Sequence, residues 1–276
     1  MTMKTAERAC SVCGTFYPAG AEELRQNLRE MLEAARPPEI EGTIRGVIGP
    51  HAGYVYSGTT AAHAYTLLRG SSYDTVVVVS PSHREYFDGV SVFPGDSYAT
   101  PLGIVPVDKE LRAELLKQSP IIKSSRSGHG EEHAVEVHLP FLQHVLGDFT
   151  FLPVVMGDQK REYCFALGEA LGSVLKGKNA LLVASTDLSH YYAGDVADRL
   201  DAVAIKDVQK FDYENLMLDL EQNRAEACGG GPAVAVMLAL HALGVGKMTI
   251  LHHCNSGDVT GDFSQVVGYL AAVAYA

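Results

Sequence analysis

Three apolar stretches of the chain each lead into a short polar turn that carries a histidine. The turns are PHAGY with His51, SPSH with His83, and STDLSH with Asp187 and His190. Imidazole and carboxylate groups bind transition metals and transfer protons near neutral pH. Because ligands of an open α/β sheet bind beyond the carboxyl ends of its strands, we expect these side chains to converge on one polar, metal-binding site.

The elements that must position these turns alternate between helix and strand. Residues 21–35 repeat apolar side chains at helical spacing, which is typical of an amphipathic helix. Residues 75–79 are a run of threonine and valine ahead of Pro81, as expected for a buried parallel strand. The alternation, without a linker or an internal repeat, predicts an α/β protein of one domain over residues 1–276. We expect a mostly parallel or mixed central sheet flanked by helices.

The same patterns place the remaining elements along the chain. We expect further helices at 58–68, 108–117, 132–146, 195–222 and after Pro232, and further strands at 44–49, 89–94, 103–108, 149–156, 180–185, 248–253 and 266–276. On the predicted helix 132–146, His133 and His138 are five residues apart and diverge by about 140° around the axis. A zincin helix needs two histidines four residues apart, so this class of zinc protease is excluded.

The balance of charge narrows the range of partners. Lysine and arginine number 22 against 33 aspartate and glutamate residues, and the formal net charge of -11 repels nucleic acids and anionic membranes. No apolar run reaches the roughly 18 residues of a membrane span, and the first ten residues contain no apolar signal core. We therefore predict a cytoplasmic protein whose partner is a small molecule or another protein, with no membrane or nucleic acid involved.

The five cysteines, an odd number, argue against a disulfide framework. Cys10 and Cys13 form a CxxC without the second half of any zinc motif, so we interpret them as surface thiols, with a metal or redox role as the lesser alternative. Cys164 lies in a helical pattern and is assigned to the core. Cys228 and Cys254 each stand at a break between predicted elements, because Cys228 opens CGGGP and Cys254 follows the strand-like MTILHH.

Several polar residues keep two interpretations. Asp187 can orient or ligate beside a histidine, or it can cap the following helix. The glycine run of CGGGP fits a phosphate cradle or a turn between helices, and the lysine of a P-loop is absent. His252 and His253 are either a strand pair or part of the site rim. Isolated histidines within predicted helices are assigned to solvent or core; they are His63, His144 and His241.

A set of linked motifs carries a family resemblance. In chain order they are GxFYP at 14–18, PHAGYxYSG, SPSH, TPLG, EHxxExHLPFL, STDLSH, CGxxP and SGDVTGD. Together they cover nearly the whole chain and resemble the Memo family, in particular its prokaryotic members called AmmeMemoRadiSam system protein B. The family's fold resembles that of class III extradiol dioxygenases, which carry a non-haem iron site on an α/β sheet.

The resemblance also implies a site. It places the metal ligands at His51, His83 and Cys228, with Asp187 and His190 beside them. By analogy with the dioxygenases, His190 is the catalytic acid/base, paired with Asp187. Those enzymes use a carboxylate as the third ligand, whereas this chain offers a thiolate. A thiolate permits Fe(II), the first candidate, and also favours Cu(I) or Zn(II).

Three functions follow as hypotheses. The first is a non-haem iron or copper enzyme that oxidises a small substrate, with aromatic compounds among the candidates. The second is non-catalytic metal handling or capture of a ligand or peptide, and the third is a zinc-type hydrolase or lyase. The family name further implies AMMECR-type and radical-SAM partner proteins. At Cys13 the prokaryotic relatives usually have alanine, which marks a departure of this chain from its relatives.

Overall fold

The computed structural model describes residues 7–276. Its strands are β1 Glu7–Arg8, β2 Ile44–Gly49, β3 Thr75–Pro81, β4 Val90–Val92, β5 Ser97–Thr100, β6 Gly103–Pro106, β7 Ile122–Ser124, β8 Phe151–Met156, β9 Ala180–Ser185, β10 His190–Tyr192, β11 Lys247–Asn255 and β12 Val266–Tyr275. Its helices are α1 Ala21–Ala34, α2 Tyr54–Tyr65, α3 Lys109–Leu115, α4 Leu139–Leu146, α5 Arg161–Val174, α6 Gly194–Gln209, α7 Tyr213–Glu221, α8 Gly230–Ala242 and α9 Gly257–Thr260. Two 3-10 turns lie at Thr66–Leu68 and Glu136–His138.

The large sheet is mixed, with a parallel centre. Its strand order is β10-β12-β2-β9-β3-β8-β4-β7, and β11 pairs with β12. The pairs β2–β9, β9–β3 and β3–β8 are parallel, whereas β12–β2 and β8–β4 are antiparallel. This arrangement confirms the predicted α/β class with a mixed central sheet and flanking helices.

The core follows from the composition of the central strands. Every residue of β3, β8 and β9 is buried, because each strand is covered on both faces and is built mainly from apolar residues, which in β3 are β-branched valines. Helices α5 and α8 pack against each other over one face, and α8 also contacts β9 and β3. Burial of both faces holds the three central strands in fixed register, and their carboxyl ends form a rigid platform.

Two predicted helices differ from the structure. The predicted helix 132–146 is wrong over its first part, because helical structure starts with the short turn Glu136–His138 and continues as α4. Residues 132–135 instead follow an irregular path. The amides of His133 and Ala134 donate to the Glu132 carboxylate, and the Ala134 carbonyl accepts from the distant Ser185 hydroxyl. The predicted helix 195–222 is two helices, since the chain turns at Phe211, where φ is 58°.

The interpretation of Cys10 and Cys13 as surface thiols is wrong, because the two sulfurs form a disulfide. The backbone turns sharply here, with the carbonyl of Val12 accepting from the amides of Thr15 and Phe16, and this turn brings the two cysteines together.

His252 and His253 lie within β11, so of the two interpretations the structure favours the strand pair. Cys164 is buried in α5 as predicted.

Among the described helices, none is long and apolar enough to cross a bilayer. The prediction that the first ten residues contain no signal core rests partly on residues 1–6, which lie outside the described part of the chain.

Candidate metal centre

The predicted turns meet at the carboxyl edge of three adjacent strands. Strand β9 lies between β2 and β3, so the turns after Gly49, Pro81 and Ser185 leave the sheet side by side. The register pairs Gly49 with Ser185, and the amide of Thr186 donates to the Gly49 carbonyl at 2.9 Å. The convergence expected from strand ends in an open α/β sheet is therefore present in the fold.

His51, His83 and Cys228 bring three ligand atoms to one point. The atoms all lie within 4.8 Å of one another, and His51 Nε2 lies 3.1 Å from Cys228 Sγ. Nitrogen and sulfur bound to one Zn²⁺ at about 2.1 and 2.3 Å can lie at most about 4.4 Å apart, so this pair fits a shared ion. The His51 and His83 ring centroids are 5.0 Å apart. The donor set suits a transition metal with three protein ligands.

A single hydroxyl group fixes the protonation of His51. Ser185 Oγ donates its one hydrogen to the Ala134 carbonyl at 2.7 Å. It therefore can only accept from His51 Nδ1, 2.7 Å away, and this nitrogen must carry the ring proton. Burial and the neighbouring imidazoles lower the pKa of His51, so the ring stays neutral. The lone pair consequently sits on Nε2, the atom that faces Cys228.

The Ser185 hydroxyl is also part of a buried chain of hydrogen bonds that continues through His138 to Tyr65. His138 Nε2 lies 2.8 Å from Ser185 Oγ and must also donate to it. Burial lowers the pKa of His138 to about 3, so its ring is neutral and its Nδ1 accepts from the Tyr65 hydroxyl at 2.6 Å. His138 is thus a buried residue with a partner on each ring nitrogen. It supports Ser185, which in turn orients His51.

Glu132 orients the second histidine. His83 Nδ1 lies 2.9 Å from Glu132 Oε1, and the amide of His83 donates to the other carboxylate oxygen. Burial alone raises the pKa of Glu132, but the hydrogen bonds from His83 outweigh it and lower the pKa to about 2. The carboxylate is therefore ionised, Nδ1 carries the proton, and His83 Nε2 is free to bind a metal. Histidine ligands in metalloproteins commonly have such a carboxylate partner.

The third ligand atom stands at the entrance to α8. Cys228 Sγ accepts the amide of Asp187 at 3.3 Å. Burial, followed by the nearby Asp187 carboxylate, raises the pKa of the Cys228 thiol, so a bound cation is needed to hold it as a thiolate. The glycine run lies where the connection from α7 enters α8: Gly229 is the N-cap residue and lies directly against β9, and Gly230 and Gly231 are the first residues of the helix.

Asp187 lies beside the three ligand atoms, but it does not cap a helix. Its Oδ1 accepts the amide of His51 at 2.8 Å, and its Oδ2 is 4.0 Å from His51 Nε2. Burial raises the pKa of Asp187 to about 7 against the lowering effect of the His51 hydrogen bond. The side chain therefore offers a carboxyl group next to the candidate ion.

His190 is on the same strand-end turn as Asp187, but its hydrogen-bond partner differs from the prediction. Its Nδ1 donates to the Leu188 carbonyl at 2.7 Å, and its amide donates to Glu226. The expected pairing with Asp187 is wrong, because that carboxylate turns towards His51. Burial lowers the pKa of His190, so the ring is neutral with its lone pair on Nε2. A neutral imidazole with a free Nε2 is suited to accept a proton.

Sequence reasoning missed a second group around His83. Glu132 and His133 join His83 with ligand atoms within 4.8 Å of one another. The His133 ring stacks on His83 at 4.8 Å between centroids, and its buried Nδ1 makes no hydrogen bond within the described residues. Burial lowers the pKa of His133 to about 4. Glu132 and His133 belong to the EHxxExH motif. A regular helix through this motif would have pointed their two side chains in different directions, so the sequence did not suggest that both meet His83.

The fold and the site together define an α/β protein with a candidate metal centre at the carboxyl ends of its central parallel strands. The chain belongs to the Memo-like protein family, whose pattern it matches over residues 8–273.

Similar proteins cover almost the entire chain. A MEMO1 family protein of Thermoplasma volcanium is 37% identical over 268 residues, which cover 97% of this chain and 98% of the relative. A MEMO1 family protein of Aquifex aeolicus is 38% identical over 267 residues, or 96% and 98% of the two chains. The crystal structure of an uncharacterized Escherichia coli K12 protein superposes with a TM-score of 0.51 at 16% identity, covering 85% of this chain and 100% of that one. This last likeness concerns the fold alone.

Ser185→Ala should weaken the metal centre without removing a ligand. The change leaves the Ala134 carbonyl and two histidine nitrogens without their partner, and each buried unpaired group costs about 1–3 kcal/mol. We expect metal affinity to fall about 10- to 100-fold, as for other residues that orient ligands. Co(II) titration measures the affinity. Ser91→Ala is the control, because its buried hydroxyl serves the Ser125 carbonyl in another part of the sheet. Equal affinities of the two variants would contradict the role of Ser185.

Gly229→Ala should destabilise the fold and displace Cys228. A Cβ at position 229 would lie 2.0 Å from the Ser185 carbonyl oxygen, so backbone must shift. Overpacking of this kind costs about 1–3 kcal/mol. Gly246→Ala is the matched control, since a Cβ there meets nothing within 4 Å. Denaturant unfolding compares the two. A midpoint for Gly229→Ala equal to that of the control would show that this contact is not tight.

Proposed function

We propose that this chain binds one transition-metal ion through His51, His83 and Cys228 and uses it as an enzyme on a small organic substrate. The observation that carries the proposal is the convergence of the three ligand atoms within 4.8 Å. Both histidines are held by their other ring nitrogen, which leaves each Nε2 free to coordinate. Three protein ligands leave coordination positions open, as in catalytic sites, whereas structural zinc sites are closed by a fourth.

Fe(II) is the first candidate ion. Two histidines with a neighbouring carboxyl group, that of Asp187, approach the two-histidine, one-carboxylate set of non-haem iron oxygenases. The Cys228 thiolate softens the site, so Cu and Zn are the alternative ions. A bound ion would supply Lewis-acid chemistry and, in the case of iron or copper, redox chemistry as well.

His190 is the proposed acid/base. Its free Nε2 can take a proton from a substrate hydroxyl, and its Nδ1 hydrogen bond to the Leu188 carbonyl keeps the ring in that tautomer. An exposed aromatic ring lies beside His190. Tyr191 is 71% exposed, and its ring centroid is 5.8 Å from that of His190. An exposed ring next to the proposed acid/base supports a substrate that contains a ring.

Metal handling without turnover is the second candidate function. The thiolate in the ligand set favours it, because soft ligands bind Cu(I) and Zn(II) tightly. The two functions differ in one respect that can be measured. An enzyme keeps a coordination position accessible to an added ligand, whereas a metal-handling site has no need of one.

Metal analysis of protein purified without oxygen tests the proposal. We expect one equivalent of metal after reconstitution with Fe(II), and a spectral change when azide or nitric oxide is added. Catechols and related phenols are then screened for oxygen consumption. Failure to retain iron, copper, zinc or cobalt at one equivalent would overturn the metal centre. Tight metal binding without a response to added ligands would favour metal handling, and water-dependent turnover with zinc would favour a hydrolase.

A further inference from the structure

The disulfide between Cys10 and Cys13 lies in an N-terminal hairpin, defined here as residues 10–17. Both cysteines are half-buried, and the intervening Ser11 and the following Gly14 are exposed. A bridge between Cys13 and Tyr17 closes the hairpin. A reagent in solution can therefore approach the sulfurs, which play no part in the metal centre described above.

The hairpin is fastened to one buried carboxylate. Glu136 is fully buried, and four groups donate to its two oxygens: an Arg8 guanidinium nitrogen, the amides of Ser11 and Val12, and the Tyr17 hydroxyl. The two amides belong to the residues between the cysteines, so the disulfide brackets them directly. A buried carboxylate that loses such donors is strongly destabilised.

Glu136 follows immediately on the segment that supports both histidine ligands. Glu132 holds His83, and the Ala134 carbonyl accepts from Ser185, which holds His51. Glu132 and Ala134 lie within four residues of Glu136. A movement of Glu136 is therefore transmitted through this short piece of backbone to the His51 and His83 imidazoles.

A second contact joins the hairpin to the site. The Phe16 ring lies 4.7 Å from the His133 ring, and His133 in turn stacks on His83 at 4.8 Å. The Phe16 carbonyl accepts the amide of Tyr54, which ties the hairpin to the start of α2 directly after the His51 turn. The hairpin thus contacts the site by two independent routes.

We propose that Cys10 and Cys13 form a reversible dithiol–disulfide centre, and that its redox state controls how firmly residues 132–138 support the metal centre. The co-substrate is a dithiol reductant. Closure of the disulfide holds the amides of Ser11 and Val12 in their hydrogen bonds to Glu136. Reduction allows these two amides to donate to water in place of the carboxylate. The part of this inference that concerns metal affinity rests on the proposed function, whereas the reduction and loosening of the segment do not.

The exchange reaction balances without any other reagent. A thiolate of the dithiol attacks one sulfur of the Cys10–Cys13 bond, which breaks and leaves a mixed disulfide and one free thiolate on the protein. The second thiolate of the reductant then attacks the mixed disulfide. The protein gains two electrons and two protons as two thiols, and the reductant leaves as its own disulfide. A disulfide oxidant reverses both steps.

Hydrogen exchange tests the coupling without metal. Dithiothreitol should reduce Cys10–Cys13 in the folded protein, as shown by alkylation and mass mapping of residues 10 and 13. Amides of residues 131–138 should then exchange at least about tenfold faster than in the oxidised protein, while β3 and β9 stay protected. A disulfide that resists dithiothreitol until the protein unfolds, or identical exchange in the two states, would overturn the inference.

Metal affinity tests the consequence. Because thiol reductants themselves bind metals, the Cys10→Ser, Cys13→Ser double variant represents the open hairpin. We expect it to bind Co(II) about 10-fold more weakly than oxidised wild type, and Cys254→Ser, a half-buried thiol on β11, to bind as wild type does. Equal affinity of the double variant and wild type would refute the control of the metal centre. Wild type that binds none of cobalt, iron, copper and zinc would instead refute the proposed function, and hydrogen exchange alone would then decide the redox inference.

Discussion

His51→Ala, His83→Ala and Cys228→Ser should each abolish stoichiometric metal binding. Each change removes one of three converging ligand atoms. The loss should exceed the 10- to 100-fold typical of residues that merely orient a ligand, so we expect affinity to fall by more than about 100-fold. Competition with a chromophoric chelator measures it. Cys228→Ser is the sharpest of the three, because serine keeps the size and the Asp187 amide contact while removing the thiolate.

His241→Ala provides the control for these variants, since His241 is exposed near the opposite end of α8. Circular dichroism of each metal-free protein checks that the fold persists. His51 is buried and hydrogen-bonded, so some stability will be lost in His51→Ala without loss of the central sheet. Normal metal content in any two of the ligand variants would show that the ion binds elsewhere.

His190→Gln should lower the rate of turnover while leaving metal binding nearly unchanged. The ring is hydrogen-bonded to a backbone carbonyl and is not one of the three converging ligands, so metal affinity should stay within about tenfold of wild type. Proton transfer by a positioned side chain contributes about 10²- to 10⁴-fold to a rate. We therefore expect single-turnover rates to fall by that factor with any substrate found by the phenol screen.

His63→Gln is the matched control, because it makes the same replacement at a histidine of α2 that stacks on His252 outside the site. Release of the metal from His190→Gln would make His190 a ligand, contrary to the dioxygenase analogy. A rate equal to that of wild type would remove His190 from the chemistry.

The sheet and the two histidine turns that carry His51 and His83 were accessible from the sequence because their signals are local. Strands β2, β3 and β9 are mostly buried and apolar, and each ends at a proline or at a polar turn that carries a histidine. The addition of Cys228 needed the family motifs, since a cysteine ahead of three glycines says nothing by itself about its neighbours in space.

The residues that orient the three ligand atoms could not be predicted from the sequence in the same way. Residues 132–135 have a helical pattern, but long-range contacts from Arg8 and Tyr17 to Glu136 hold the adjoining backbone. No local pattern records contacts across more than one hundred residues. Ser185 looks like the last residue of an apolar strand, and its role depends on three partners from other parts of the chain. Asp187 was placed near the site, but only the fold decides which histidine it meets.

The distance along the chain between the ligands has a consequence for synthesis. Cys228 and His51 are 177 positions apart, so a growing polypeptide displays both histidines long before the thiol that completes the set. Under the proposed function, metal capture by the complete set must wait until the central strands have paired and α8 has started. An ion at 100 times its dissociation constant would then add about 2.7 kcal/mol to the stability of the finished chain. Products that end before residue 228 lack the thiol and also α8, β11 and β12, so scarcity of metal would cost a complete chain only this increment, whereas truncation removes part of the core as well.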